Sequence, residues 1–154
     1  CKEARVTPPA RFLPPAFAMK MTDAKGSCHQ RRALLVEDSV VNQVLLSRFL
    51  EDMGFDVTLA DNGRDGVSQF VERPFDLVLM DVLMPIMDGI AATHIMRQHE
   101  FATGGHTPIV AVTAGMDRQS CLQAGMDEHL VKPIRAEMLA ETVRRVSPED
   151  SIPT

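Results

Sequence analysis

Five short apolar runs rich in β-branched residues alternate along this chain with five segments of helical spacing. That alternation constrains the fold more than any other feature. The runs are ALLVE (33–37), DVTLA (56–60), DLVLMD (76–81), PIVAVT (108–113) and EHLVK (128–132). Most are apolar at consecutive positions, the pattern of strands buried on both faces. Between them Val41, Val44, Leu45, Phe49 and Leu50 recur at intervals of three and four. So do Val67, Phe70 and Val71, then Ala91, Ile95 and Met96, then Met138, Leu139 and Val143. The stretch Met116 to Ala124 reads as a weaker helix, with Gly125 placed to cap its end. Strands alternating with helices imply βαβ crossovers, which give a parallel sheet covered on both faces. The expectation is an α/β doubly wound domain with a five-stranded parallel sheet.

The ends of the chain read differently. Val6 to Ala18 holds two Pro-Pro pairs and no period of either kind, which predicts an extended or disordered linker. Order is expected from about Arg31, giving an arm over 1–30, a domain over 31–147 and a short tail over 148–154. Residues 1–32 carry seven Lys/Arg against Glu3 and Asp23, a net of +5, so the rest carries −10 of the total −5. An acidic body argues against nucleic acid as a direct partner. No apolar run approaches the ~18 residues of a membrane-spanning helix. The arm has no signal-peptide pattern, because Pro14 and Pro15 interrupt its best candidate. Cys1, Cys28 and Cys121 are odd in number and form no C-x-x-C pair, which favours a reducing cytoplasm. Opening on Cys1 rather than Met predicts a fragment or a processed piece of a longer protein.

Polar residues fall at the ends of the runs. The first ends on Glu37 with Asp38 next, the third ends on Asp81, the fourth on Thr113 and the fifth on Lys132. In a parallel sheet all carboxyl ends share one edge, where open α/β sheets bind their ligands. Each residue alone has an ordinary structural reading, as a helix cap or a solvated lysine. Their joint placement, one per strand and with complementary charge, points to a site.

Three carboxylates held close together repel and do not all stay ionised unaided. A divalent cation resolves that conflict. A few hard oxygen ligands with room for water and phosphate suit Mg²⁺ better than zinc or a closed calcium cage. One carboxylate can then attack phosphorus while metal and Lys132 neutralise the phosphoryl oxygens and Thr113 donates a hydrogen bond. The residues therefore suggest an acyl-phosphate site with Asp81 as nucleophile.

LLVEDSVVNQ, LVLMDVLMPIMDG, IVAVTA and GMDEHLVKPI resemble the receiver (phospho-acceptor) domain of two-component response regulators, over roughly Arg31 to Val146. The resemblance implies a (βα)₅ fold of flavodoxin-like strand order 2-1-3-4-5. It implies that Asp81 takes a phosphoryl group from a phosphohistidine on a histidine kinase or a histidine phosphotransfer domain. Glu37, Asp38, Asp81 and the backbone carbonyl of Leu83 would hold Mg²⁺, and Lys132, Thr113 and Ala114 would bind the phosphoryl group. VEDSVVNQ, with Asn42 and Gln43, is most similar to receivers of hybrid sensor histidine kinases, and the Pro-rich arm fits a tether. Family habit sets the phosphodonor against the first helix, beginning near Ser39. His129 stands at the switch position, where many receivers carry Tyr or Phe, so pH coupling there competes with an ordinary half-exposed histidine. Leu83 and Gly115 replace polar residues that could position a hydrolytic water, which predicts a slowly decaying phosphate.

Other residues take plainer roles. Asp88 reads as a helix cap, Met80, Met84 and Met87 as packing, and Cys121 as a half-buried thiol. His94 and His99, five apart, do not share a helical face. An aspartyl-phosphate phosphatase would want a second aspartate where Leu83 stands. Nucleotide binding lacks both G-x-G-x-x-G and G-x-x-x-x-G-K-[ST]. A stand-alone regulator and an unphosphorylated interaction module remain as rivals. No DNA-binding element follows Val146, so the output is expected elsewhere.

Overall fold

The structure, a computed structural model, describes residues 30–147. The Pro-rich arm and the tail expected over 148–154 lie outside these residues. In chain order the elements are β1 (Arg32–Val36), α1 (Val40–Asp52), β2 (Asp56–Ala60), α2 (Gly63–Glu72), β3 (Leu77–Asp81), α3 (Gly89–Thr103), β4 (Ile109–Thr113), α4 (Arg118–Gln123), β5 (Glu128–Val131) and α5 (Ala136–Val146). The strands form one parallel sheet in the order β2-β1-β3-β4-β5. The doubly wound expectation, including its strand order, holds.

The period of two within each strand sorts the core into two layers. Leu34, Val36, Val78, Met80, Ile109 and Ala111 face one way and pack with Phe70 of α2, Ala92 and Met96 of α3 and Cys121 of α4. Ala33, Leu35, Leu77, Leu79, Val110 and Val112 face the other way, toward Leu46 and Leu50 of α1 and Leu139 and Val143 of α5. With helices on both sides, β3 and β4 are buried at every position. Edge strand β2 is exposed at Asp56 and Leu59.

Helix starts follow local chemistry. Ser39, Asn62, Asp88 and Asp117 each accept a hydrogen bond from a backbone N–H three residues on, satisfying donors that a helix leaves orphaned. Gly89 has a different task. A Cβ there would strike the carbonyl oxygen of Asp81, while the Gly89 N–H donates to Val82 O at 2.8 Å. Only glycine lets α3 start this close to the end of β3.

The structure corrects several expectations about the helices. On α1 the apolar spacing marked Val41, Val44 and Leu45, yet these are 75%, 67% and 42% exposed, with Val40 at 69%. The buried face is instead Gln43, Leu46 and Leu50. A helix with apolar residues on two faces has a spacing signal that does not say which face meets the sheet. Val71 and Ala91 are exposed for the same reason, their helices being anchored by Phe70, Ala92 and Met96. Helix α4 is shorter than expected, because Asp117 caps it only at Arg118. Cys121 is fully buried rather than half-buried, and burial, aided by Asp117, pushes its thiol up from the ordinary value.

Candidate functional site

The carboxyl ends of β1, β3, β4 and β5 deliver the polar residues to one edge. Pairing of Asp81 with Val112 and of Thr113 with Val131 fixes the levels of three strands. The ladder runs past the strands, with Val82 N–H donating to Val112 O at 3.1 Å and Lys132 N–H to Thr113 O at 2.8 Å. Glu37 and Asp38 lie just beyond β1 rather than within it, and Glu37 N–H donates to Ala60 O at 3.0 Å.

Carboxylate oxygens of Glu37, Asp38 and Asp81 lie within 4.8 Å of one another. Glu37 and Asp81 are buried, at 1% and 4% exposure, and Asp38 faces solvent. Lys132 Nζ stands 3.4 Å from Asp81 Oδ1 and 3.6 Å from Glu37 Oε1. Among the described residues, one ammonium faces three acids, which leaves their charge uncompensated. Burial, then repulsion from Glu37, raises the Asp81 carboxyl from 3.8 to about 7, with Lys132 opposing.

Glu37 divides its oxygens. Oε2 accepts from Ser39 N–H and from Asn42 Nδ2, both at 3.3 Å, whereas Oε1 is buried with no hydrogen-bond partner among the described residues. Such an atom is costly unless something positive meets it. The Lys132 ammonium lies beyond hydrogen-bond range, at 3.6 Å. An orphaned, buried carboxylate oxygen beside two further acids fits a hard divalent cation.

The remaining predicted residues take varied positions. Leu83 is 70% exposed, so its side chain points to water and only its main chain is left to serve the site. Its loop is braced by Met84 and Met87, which pack on the core. Ile86 in that loop has φ +70. Thr113 is buried, and its Oγ1 accepts from Gly115 N–H at 3.1 Å and Met116 N–H at 2.9 Å. Its lone pairs serve the loop after β4, leaving its proton to donate. Ala114 and Gly115 are exposed. His129 is half-buried on β5 opposite Ala111, with Nδ1 buried and unpartnered among the described residues. Asp88 caps α3, its Oδ1 accepting from Ala91 N–H at 2.9 Å, as expected.

Two residues of this neighbourhood were given no part in the site by the sequence, where Gln43 entered only as a mark of resemblance. Gln43 is a buried amide on the inner face of α1, and Asp61 follows β2. Gln43 Nε2 donates to Glu37 O at 2.7 Å and to Asp61 Oδ1 at 2.8 Å. A glutamine in the first turn of a helix and an aspartate after a strand signal caps or surface as readily as a buried clamp, and 18 residues separate them, so spacing alone could not find it.

The family described as the response regulator receiver domain matches residues 33–144. This chain belongs to that family. As a receiver domain of two-component signalling it is 44% identical over 136 residues to the sensor histidine kinase GacS of Pseudomonas protegens, a match covering 86% of this chain and 15% of that protein. It is similar to the receiver domain of the sensor histidine kinase PA1611 of Pseudomonas aeruginosa, solved with a magnesium ion coordinated in its active site cleft. That match has a TM-score of 0.69 and 36% identity, and covers 77% of this chain and 98% of that one. It also resembles a chain of the Saccharomyces cerevisiae complex between the histidine phosphotransfer protein Ypd1 and the receiver domain of the response regulator Ssk1. There the TM-score is 0.74 and the identity 29%, with 80% and 92% covered. The chain spans from 4% to 15% of the curated relatives such as GacS that it matches. Among the described residues, no helix is long and apolar enough to cross a membrane.

Proposed function

We propose that this receiver is a phosphorelay acceptor that takes a phosphoryl group from a phosphohistidine onto Asp81. The observation that carries the reading is the buried Asp81 carboxylate within 4.8 Å of Glu37 and Asp38 and 3.4 Å from the Lys132 ammonium. In the step an Asp81 carboxylate oxygen attacks phosphorus, an O–P bond forms, the N–P bond breaks and the imidazole leaves. Burial at the end of β3 holds the nucleophile still, which matters because phosphoryl transfer is catalysed mainly by positioning and charge stabilisation. Lys132 pairs with the phosphoryl oxygens, and the Thr113 hydroxyl, with the Ala114 N–H beside it, donates to the same group. His129 occupies the switch position on β5. Glu37, Asp38, Asp81 and the Leu83 backbone carbonyl would hold Mg²⁺, which supplies positive charge to the phosphoryl oxygens and lowers the repulsion among the acids.

The partner surface is the outer face of α1. Val40, Val41, Val44 and Leu45 form an exposed apolar stripe, at the spacing by which one helix packs on another. Such a stripe beside the acidic edge suits a helical histidine phosphotransfer domain or the histidine-bearing domain of a kinase. The Ypd1 complex, in which a phosphotransfer protein meets a receiver, and the likeness to GacS support this partner class. We read the parent protein as a hybrid sensor histidine kinase, with this domain over 31–147 in the cytoplasm and residues 1–30 as its tether.

The experiment is labelling by radioactive acetyl phosphate and by a phosphorylated phosphotransfer protein. Wild type should label in Mg²⁺ and fail in EDTA, and Asp81→Asn should fail in both. Full labelling of Asp81→Asn would overturn the assignment.

A further inference from the structure

Helix α1 carries an inverted pattern. It leaves four apolar side chains in water yet buries the amide of Gln43, at 8% exposure, beside Leu46 and Leu50. A leucine at 43 would fill comparable space without burying a polar group, so packing alone does not account for the glutamine. Its contacts do. The two acceptors, Glu37 O at 2.7 Å and Asp61 Oδ1 at 2.8 Å, accept only, so the amide nitrogen must face them and both its protons are used. One side chain thus ties the inner face of α1 to the main chain of the acidic pair and to the loop after β2.

The preceding residue acts on the same glutamate. Asn42 Nδ2 donates to Glu37 Oε2 at 3.3 Å, and Ser39 N–H reaches the same oxygen. With one oxygen held there, the plane of the carboxylate is set, and the other oxygen, Oε1, is left buried near Asp81 and Lys132 without a hydrogen-bond partner among the described residues. Main chain and carboxyl group are therefore fixed by two successive amides of one helix.

We propose that Asn42 and Gln43 are positioning residues for the cation, orienting Glu37 so that Oε1 alone is presented to it. This rests on the proposed reading of Glu37, Asp38 and Asp81 as a Mg²⁺ site. Neither amide touches the reacting atoms; both act through Glu37. Groups that orient metal ligands from behind set affinity as strongly as many ligands do. The same arrangement links the outer stripe of α1 to the acidic edge through the body of one helix, so a displacement of α1 would reach Glu37 directly.

The test is titration of the domain with MgCl₂ by calorimetry for wild type, Asn42→Ala, Gln43→Leu and an Arg48→Ala control on the exposed face of the same helix. Melts in EDTA report the metal-free fold, and acetyl phosphate labelling rates are measured against Mg²⁺ concentration. The Mg²⁺ dissociation constant should rise about tenfold in Asn42→Ala and in Gln43→Leu, and stay unchanged in Arg48→Ala. Labelling should recover toward the wild-type maximum at saturating Mg²⁺. Asn42 is partly exposed, so Asn42→Ala remains informative if Gln43→Leu folds poorly. Dissociation constants within twofold of wild type in both variants overturn the inference, as does a lowered maximal rate with unchanged affinity. Failure of the wild type itself to bind Mg²⁺ overturns the cation reading, and this inference with it.

Discussion

Asp81→Asn should stabilise the metal-free domain by an amount that grows with pH. The Asp81 carboxyl is raised from 3.8 to about 7, first by burial and then by Glu37. A folded-state value above the unfolded one means that the native state holds the proton more tightly. The stability this contributes is fully present below pH 3.8 and is lost as pH climbs to about 7. At ~1.4 kcal/mol per decade of proton affinity, wild type forfeits on the order of 4 kcal/mol by about pH 8, and roughly 1.5 kcal/mol by about pH 5. Asparagine has no such proton to lose. The stability gap between the two proteins should therefore widen by about 2–3 kcal/mol between these pH values, or roughly 10 °C in Tm. Thermal melts in EDTA across that range measure it, and titrating groups remote from Asp81 cancel in the difference. Adding Mg²⁺ at the higher pH should raise wild type more than Asp81→Asn, because the cation takes over what the proton did. A Tm difference that stays constant across the pH range would refute the picture of an overcrowded, buried carboxylate.

Val41→Lys and Val44→Lys should cut transfer from a phosphorylated phosphotransfer protein by about tenfold or more, a loss of ~1.4 kcal/mol in partner binding. Acetyl phosphate labelling should be unaffected, and equal loss with both donors would remove α1 as the docking face. The aspartyl phosphate should decay slowly, since the Leu83 side chain points to solvent and Gly115 has none to hold a water; a half-life of seconds would contradict this. Gly89→Ala should cost about 1–3 kcal/mol in urea melts, because its Cβ meets the Asp81 carbonyl and α3 must shift. An unchanged midpoint would show that α3 has slack at its start.

Much of the architecture could be read from the string because it rests on local chemistry. Consecutive apolar residues in Leu77 to Met80 mark a strand covered on both faces, and Asp88 followed by Gly89 marks a helix start. Strand order is harder, since no local signal says that β3 returns past β1; the family resemblance supplied it. The site was legible as a set of strand ends, Asp81, Thr113 and Lys132, because a parallel sheet leaves such ends only one edge to occupy. The helical faces were less legible. Val41, Val44 and Leu45 obey the period of a buried stripe and lie in water, while Gln43 breaks it and lies inside.

The sequence by itself determined which segments are strands, which residues stand at their carboxyl ends, and that three acids and one lysine meet there. These follow from periods of two and three to four and from parallel pairing, which act over a few residues and survive in any fold of this class. Only the tertiary structure decided how the acids are held. It assigned Oε2 of Glu37 to Asn42 and left Oε1 without a partner, and it committed Thr113 to the loop after β4. It also turned the valines of α1 outward. Those outcomes depend on which face of each helix meets the sheet and on distances of a few ångströms between residues far apart in sequence. No periodicity encodes them, because they arise when two layers close on one sheet and each buried polar atom must find a partner or go without.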